Sequence, residues 1–267
     1  MLYKLDKNGF VINNASVKKI QPYYRNILKK INKIYKNRLG DNLLSVYIRG
    51  SVSVGRATSY ISDLDSVAII KNNLDRDHLL WVIEETKKLE KKYPKAGLVE
   101  LTVVPLEELL QSKKYKNLRV YLKTQSVCLL GKDILPKLPK IKPGKKLALI
   151  LYGNISEEIQ NLKDIFSRKI VDCEYLFQKR SIKFWCDGMT RLLLRGGLGL
   201  VMFKKPVYSQ DLKTCFNVFV DEYPEYNKEA EQLLKWVVNP IDDEEKLLKF
   251  LNNFSPKFLK LWENVNK

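Results

Sequence analysis

Apolar residues at Val17, Ile20, Tyr24, Ile27, Ile31 and Ile34 recur three and four positions apart, which places them on one face of a helix predicted over residues 15–38. After Gly40 the pattern changes to short, nearly continuous apolar runs. Residues 43–49, 63–70 and 98–104 read as strands, and a helix over 79–92 lies between the last two, stopped by Tyr93-Pro94-Lys95-Ala96-Gly97. Residues 118–130 are strand-like or mixed and end at Gly131-Lys132-Asp133. Pro136, Pro139 and Pro143 then fall within eight residues, which neither a helix interior nor a central strand tolerates. The domain boundary is placed there, giving domains 1–140 and 141–267. Beyond it the helical period returns over 156–170, 174–194, 209–223, 226–238 and 242–254, with Trp185, Phe216, Phe219 and Trp236 as expected core. The fold class is α+β, a sheet-bearing domain followed by a helical bundle.

Composition narrows the picture. With 267 residues and 45% apolar content the chain has enough to bury a real core. No apolar run approaches the roughly 18 residues that span a membrane, and the opening MLYKLDKNGF has no apolar leader region, so a cytoplasmic protein is expected. Cys128, Cys173, Cys186 and Cys215 show no CxxC spacing and the only histidine is His78, which argues against a zinc site or a disulfide framework. A catalytic base would have to be a carboxylate. The 48 Lys and Arg against 30 Asp and Glu leave a net charge of +18, a field that favours polyanions. Richness in Lys, Asn and Ile together, as in translations of A+T-rich genes, accounts for part of it.

The candidate chemistry lies in residues 43–70. A strand ends at Arg49, Gly50-Ser51 follows, and after eleven intervening residues Asp63-Leu64-Asp65 opens the next strand. Alternation along a strand points Asp63 and Asp65 the same way, roughly 7 Å apart. Carboxylates so spaced suit a pair of magnesium ions, about 4 Å apart, that clamp an in-line phosphoryl displacement. Gly50 supplies a turn without a side chain, so that backbone N–H groups and the Ser51 hydroxyl approach a phosphate closely. A second DxD, Asp75-Arg76-Asp77, reads as the cap of the helix near Leu79. Glu100 interrupts the apolar strand 98–104, and if that strand lies about 4.8 Å from the one opening at Asp63, it completes three carboxylates that repel one another without cations. Glu107 and Glu108 instead suit a helix first turn.

Strand, Gly50-Ser51, loop and Asp63-Leu64-Asp65 together resemble the signature of the DNA polymerase β-like nucleotidyltransferase superfamily. The resemblance implies a mixed β-sheet flanked by helices, then a helical domain that closes one wall of a nucleotide cleft. It implies that Asp63 and Asp65 ligate two magnesium ions, that Gly50 and Ser51 hold the β and γ phosphates, and that Glu100 ligates metal or takes the acceptor's proton, although the family more often carries Asp at that place. Lys179 and Lys183, one helical turn apart, would hold the triphosphate, with Arg191 and Tyr208 as further candidates, the tyrosine to stack on the base. The activity implied is magnesium-dependent transfer of a nucleoside monophosphate from a nucleoside triphosphate such as ATP, releasing pyrophosphate. Charge favours RNA such as tRNA as acceptor. The alternatives are adenylylation of a small-molecule antibiotic and a catalytically degenerate module that binds RNA.

Overall fold

The computed structural model describes residues 1–60, 62–167 and 181–266, without the side chains of Arg76 and Asn266. They form two compact units, Phe10–Ile141 and a second made of Met1–Gly9 with Lys142–Lys267.

The first unit is built on a four-stranded mixed sheet. In chain order it runs helix α1 (Tyr24–Leu39), β1 (Leu43–Arg49), the single turn α2 (Gly50–Ser53), β2 (Leu64–Ile70), α3 (Trp81–Lys92), β3 (Val99–Pro105), α4 (Leu106–Gln111), α5 (Lys116–Gln125) and β4 (Ser126–Gly131). The strand order is β3-β2-β1-β4, with β1 antiparallel to both its neighbours and β2 parallel to β3. Because side chains alternate along a strand, the sheet has two apolar faces. Val46, Ile48, Leu64, Ala68, Val99 and Leu101 pack with the buried stripe of α1 and with Leu89 of α3. Tyr47, Val67, Ile69 and Val104 pack with Leu109 of α4 and Leu122 of α5.

Three local expectations are corrected. The first helix begins at Tyr24, because Pro22 lacks an N–H; residues before it form a 3-10 turn, Val17–Lys19, capped by Ser16. Residues 118–130 are the end of α5 followed by β4, since Leu118, Tyr121, Leu122 and Gln125 offer a helical stripe as readily as the run offers alternation. Asp75 precedes the 3-10 turn Arg76–Leu79 but makes no side-chain capping bond. The proline-rich stretch before Lys142 is anchored, with Ile134 and Leu138 buried against Tyr47.

The second unit is helical: α6 (Lys145–Tyr152), α7 (Ile155–Phe166), α8 (Ile182–Val201), α9 (Leu212–Glu222), α10 (Asn227–Val238) and α11 (Glu244–Asn266). Tyr3 joins it through an N–H to the Tyr208 carbonyl at 2.9 Å and a ring contact with Tyr208 at 5.1 Å. Helix α11 passes Pro256 and outruns the expected end because Leu247, Leu251, Phe254, Phe258 and Trp262 are all buried along one stripe. Helix α8 is central, touching α6, α7, α9, α10 and α11. Its Gly196, Gly197 and Gly199 permit that approach: a methyl on Gly197 would stand 2.7 Å from the Phe219 ring. That ring is fixed by Tyr223, Tyr226 and Phe258 at 5.6, 5.9 and 6.1 Å. Gly197→Ala is therefore expected to destabilise this unit by about 1–3 kcal/mol from overpacking, against a helix-propensity gain of up to about 1 kcal/mol. A urea midpoint at or above that of the unaltered protein would show that the ring yields.

Candidate active site

The site is a single row across three strands. Arg49 of β1 faces Asp65 of β2 in register, and Asp65 faces Glu100 of β3. By alternation Arg49 shares the face of Tyr47, Asp65 that of Val67, and Glu100 that of Val104, so all three lie on the α4–α5 side of the sheet. The Arg49 guanidinium bridges the two acids, with Nη2 3.1 Å from Asp65 Oδ1 and 3.0 Å from Glu100 Oε2. Its Cζ lies 5.8 Å from the centre of the Tyr121 ring on α5. Arg49 and Asp65 side chains are only 17% and 18% exposed, whereas Glu100 is 54% exposed and forms the mouth. Thr102 Oγ1 donates to Glu100 Oε1 at 2.9 Å, which fixes the glutamate's second oxygen.

Burial pushes the Asp65 carboxyl up to about 7, against the pull of Arg49 and with the help of Glu100 and Asp63. Burial acts the same way on Glu100, but Arg49 and hydrogen bonds from Asp65 and Thr102 outweigh it and hold Glu100 below the ordinary carboxylate range. The pair thus divides its roles near neutrality, Glu100 charged and Asp65 close to taking a proton. Asp63, half-buried just before β2, is near enough to raise Asp65; it also adds to the rise of the Tyr24 hydroxyl, which comes mainly from burial and Tyr23.

Gly50 explains how the row is kept open. Its φ of +73° lets the chain turn directly from β1 into α2, and a Cβ there would stand 2.9 Å from Asp65 Oδ2. The turn is braced by the buried Ser53 hydroxyl, which lies 2.8 Å from the Gly50 carbonyl oxygen and 2.7 Å from that of Gln125. Ser51 stands half-buried beside it, in a turn whose first N–H groups have no intrahelical acceptor.

No family model matches the chain, and no curated protein matches it. Among solved structures, spectinomycin adenyltransferase AAD(9) from Enterococcus faecialis with ATP and spectinomycin aligns over 85% of this chain and 96% of its own, with a TM-score of 0.56 and 15% identity. The chain shares the fold of that adenyltransferase. Two toxin–antitoxin structures also align in part. The MntA-HpeT mutant covers 55% of this chain and 98% of its own at 22% identity and a TM-score of 0.30. The Shewanella oneidensis tri-AMPylated HEPN toxin with its MNT antitoxin covers 55% and 95% at 22% identity and a TM-score of 0.27.

The donor set suits a hard divalent cation in chemistry, being carboxylate oxygen throughout, with Asp65 and Glu100 side by side on adjacent strands. The cage is not preformed: among the described residues no group of three or more His, Cys, Asp or Glu side chains could hold a metal ion. The expected repulsive trio is corrected accordingly, because Arg49 stands as a cation between two of its members. Arg49, the last residue of β1, escaped the sequence reading.

The candidates carried by the second unit have settings of their own. Lys183 is exposed in the first turn of α8, and Lys179 lies outside the described residues. Arg191 is bound to Asp187 at 2.6 Å, one turn away on the same helix. Tyr208 is corrected from base-stacking to core: it is 1% exposed, packed on Tyr3, and its hydroxyl accepts from Gln210 Nε2 at 3.1 Å. Glu107 and Glu108 stand in the first turn of α4.

Proposed function

We propose that the chain is a magnesium-dependent nucleotidyltransferase that transfers AMP from ATP to an acceptor and releases pyrophosphate. The observation that supports this best is the register row Asp65–Glu100 held open by a left-handed Gly50, on the fold shared with an adenyltransferase. In this reading Gly50 and Ser51 bind the β and γ phosphates through backbone N–H groups and a hydroxyl. Asp63, Asp65 and Glu100 would hold magnesium, whose chemistry when bound is to neutralise charge on the attacking and leaving oxygens. The acceptor oxygen forms its bond to the α-phosphorus, the α–β bridging P–O bond breaks, and pyrophosphate leaves. Glu100, the more exposed of the two acids at 54%, takes the acceptor's proton. The direct test supplies α-labelled ATP, GTP, CTP and UTP with magnesium and a cell extract. Label in RNA, protein or a small molecule names the acceptor, and no transfer from any of the four overturns the reading.

Charge favours a polyanionic acceptor such as tRNA. Helix α1 alone carries Arg25, Lys29, Lys30, Lys33, Lys36 and Arg38 and no acid. Lys132, Lys137 and Lys140 are exposed as well. The second reading, a small-molecule antibiotic, is favoured by the alignment with the spectinomycin adenyltransferase over 96% of that chain. A tRNA titration at several salt concentrations separates them, since each single-strand phosphate neutralised contributes a slope near −0.7 in log affinity against log salt. A steep slope is expected; a flat one with brisk antibiotic adenylylation decides for the small molecule.

A further inference from the structure

Buried arginines usually serve one partner set, but Arg49 stands where the proposed chemistry needs a different cation. Its one Nη2 contacts both acids, at 3.1 and 3.0 Å, while its Nε is buried with no hydrogen-bond acceptor among the described residues. Two features hold the head in place: the register that aligns β1, β2 and β3, and the Tyr121 ring beneath it. The guanidinium thus spends its reach on two carboxylates of a candidate metal site. Such a charge lowers the field that would attract a second cation to the same oxygens. It also removes the mutual repulsion that would otherwise strain the nucleotide-free protein.

We infer that Arg49 is a tethered counter-ion, occupying the place between Asp65 and Glu100 in nucleotide-free protein so that divalent cation is taken up together with the nucleotide and not before it. The inference rests on the nucleotidyl-transfer reading. A bound triphosphate brings its own negative charge beside Gly50, offers Arg49 an anion in exchange, and leaves Asp65 and Glu100 free to face a metal. Arg49 is in this scheme a positioning residue, whose effect is on the order of binding.

The test is a Mn²⁺ titration followed by the signal of free Mn²⁺, on the full chain without nucleotide and with a non-hydrolysable ATP analogue. Unaltered protein is expected to bind Mn²⁺ weakly alone and at least about tenfold more tightly with the analogue. Arg49→Met is expected to bind Mn²⁺ without nucleotide at least about tenfold more tightly than unaltered protein, to melt at a lower temperature without cation, and to recover on adding Mn²⁺. Equal Mn²⁺ affinity in the two nucleotide-free proteins overturns the inference, as does unaltered protein that binds the analogue yet binds Mn²⁺ equally well with and without it once the analogue's own Mn²⁺ binding is subtracted. Should Arg49→Met not fold, Arg49→Lys carries the test: its ammonium lacks the planar fork, and Mn²⁺ affinity should still rise about threefold, an unchanged affinity being the contrary result. Failure of the underlying reading looks different, with neither protein binding the analogue while the nucleotide-free titration still reports on Arg49.

Discussion

Asp65→Asn is expected to lower nucleotidyl transfer roughly a thousandfold or more while the chain still folds. The carboxylate sits in the middle of the row, and on the proposed reading it would hold magnesium, so that its loss removes several kcal/mol of transition-state charge stabilisation, at 1.36 kcal/mol per factor of ten. Asparagine keeps the volume beside Gly50 and retains an oxygen for the Arg49 guanidinium, 3.1 Å away in the unaltered protein. Its neutral acceptor is weaker than a carboxylate, so stability should fall by about 1 kcal/mol. This corrects the expectation of a repelling trio, in which removing one acid would relieve strain. With Arg49 in place, removing an acid breaks an ion pair, and Asp65→Ala should destabilise more than Asp65→Asn. Steady-state transfer of α-labelled ATP and a urea unfolding curve check both parts; near-normal turnover would remove Asp65 from the chemistry.

Glu100→Gln is expected to cut turnover by roughly 10²–10⁴, the range of a lost general base, with nucleotide affinity changed little. Glu108→Gln should stay within a few-fold of the unaltered protein. The contrast follows from position: Glu100 lies opposite Asp65 and carries a depressed proton affinity, whereas Glu108 caps the dipole of α4. Glutamine preserves the contact with Thr102, so a large loss would reflect charge or proton transfer and not a collapsed side chain. Comparable losses in the two variants would mean that the third carboxylate is elsewhere.

The strands β1, β2 and β3 were legible from the chain because short, nearly continuous apolar runs admit few other readings, those of β1 and β3 being also flanked by Gly or Pro, and Glu100 stood out as a charge within one of them. Arg49 was not legible, since a charge on the last residue of a strand reads as a solvated end until the register shows what lies opposite. Tyr208 failed for the converse reason: an aromatic in a polar stretch looks available, but it is buried with Tyr3 packed on it, a contact of more than two hundred positions in separation. The ends of α1 and α11 shifted through prolines whose effects opposed one another. Pro22 delayed a helix, while Pro256 was overridden by a buried stripe running past it.

The parallel pairing of β2 with β3 carries a consequence for how the site is assembled in time. Arg49 and Asp65 are 16 positions apart, paired across adjacent antiparallel strands, while Asp65 and Glu100 are 35 apart and meet only after the chain has crossed over through α3. Closing the longer loop carries the greater entropy cost and the slower search. On loop closure and on synthesis from the N-terminus, Asp65 is expected to meet its arginine before its fellow acid, which would bring the two carboxylates together with a cation already between them.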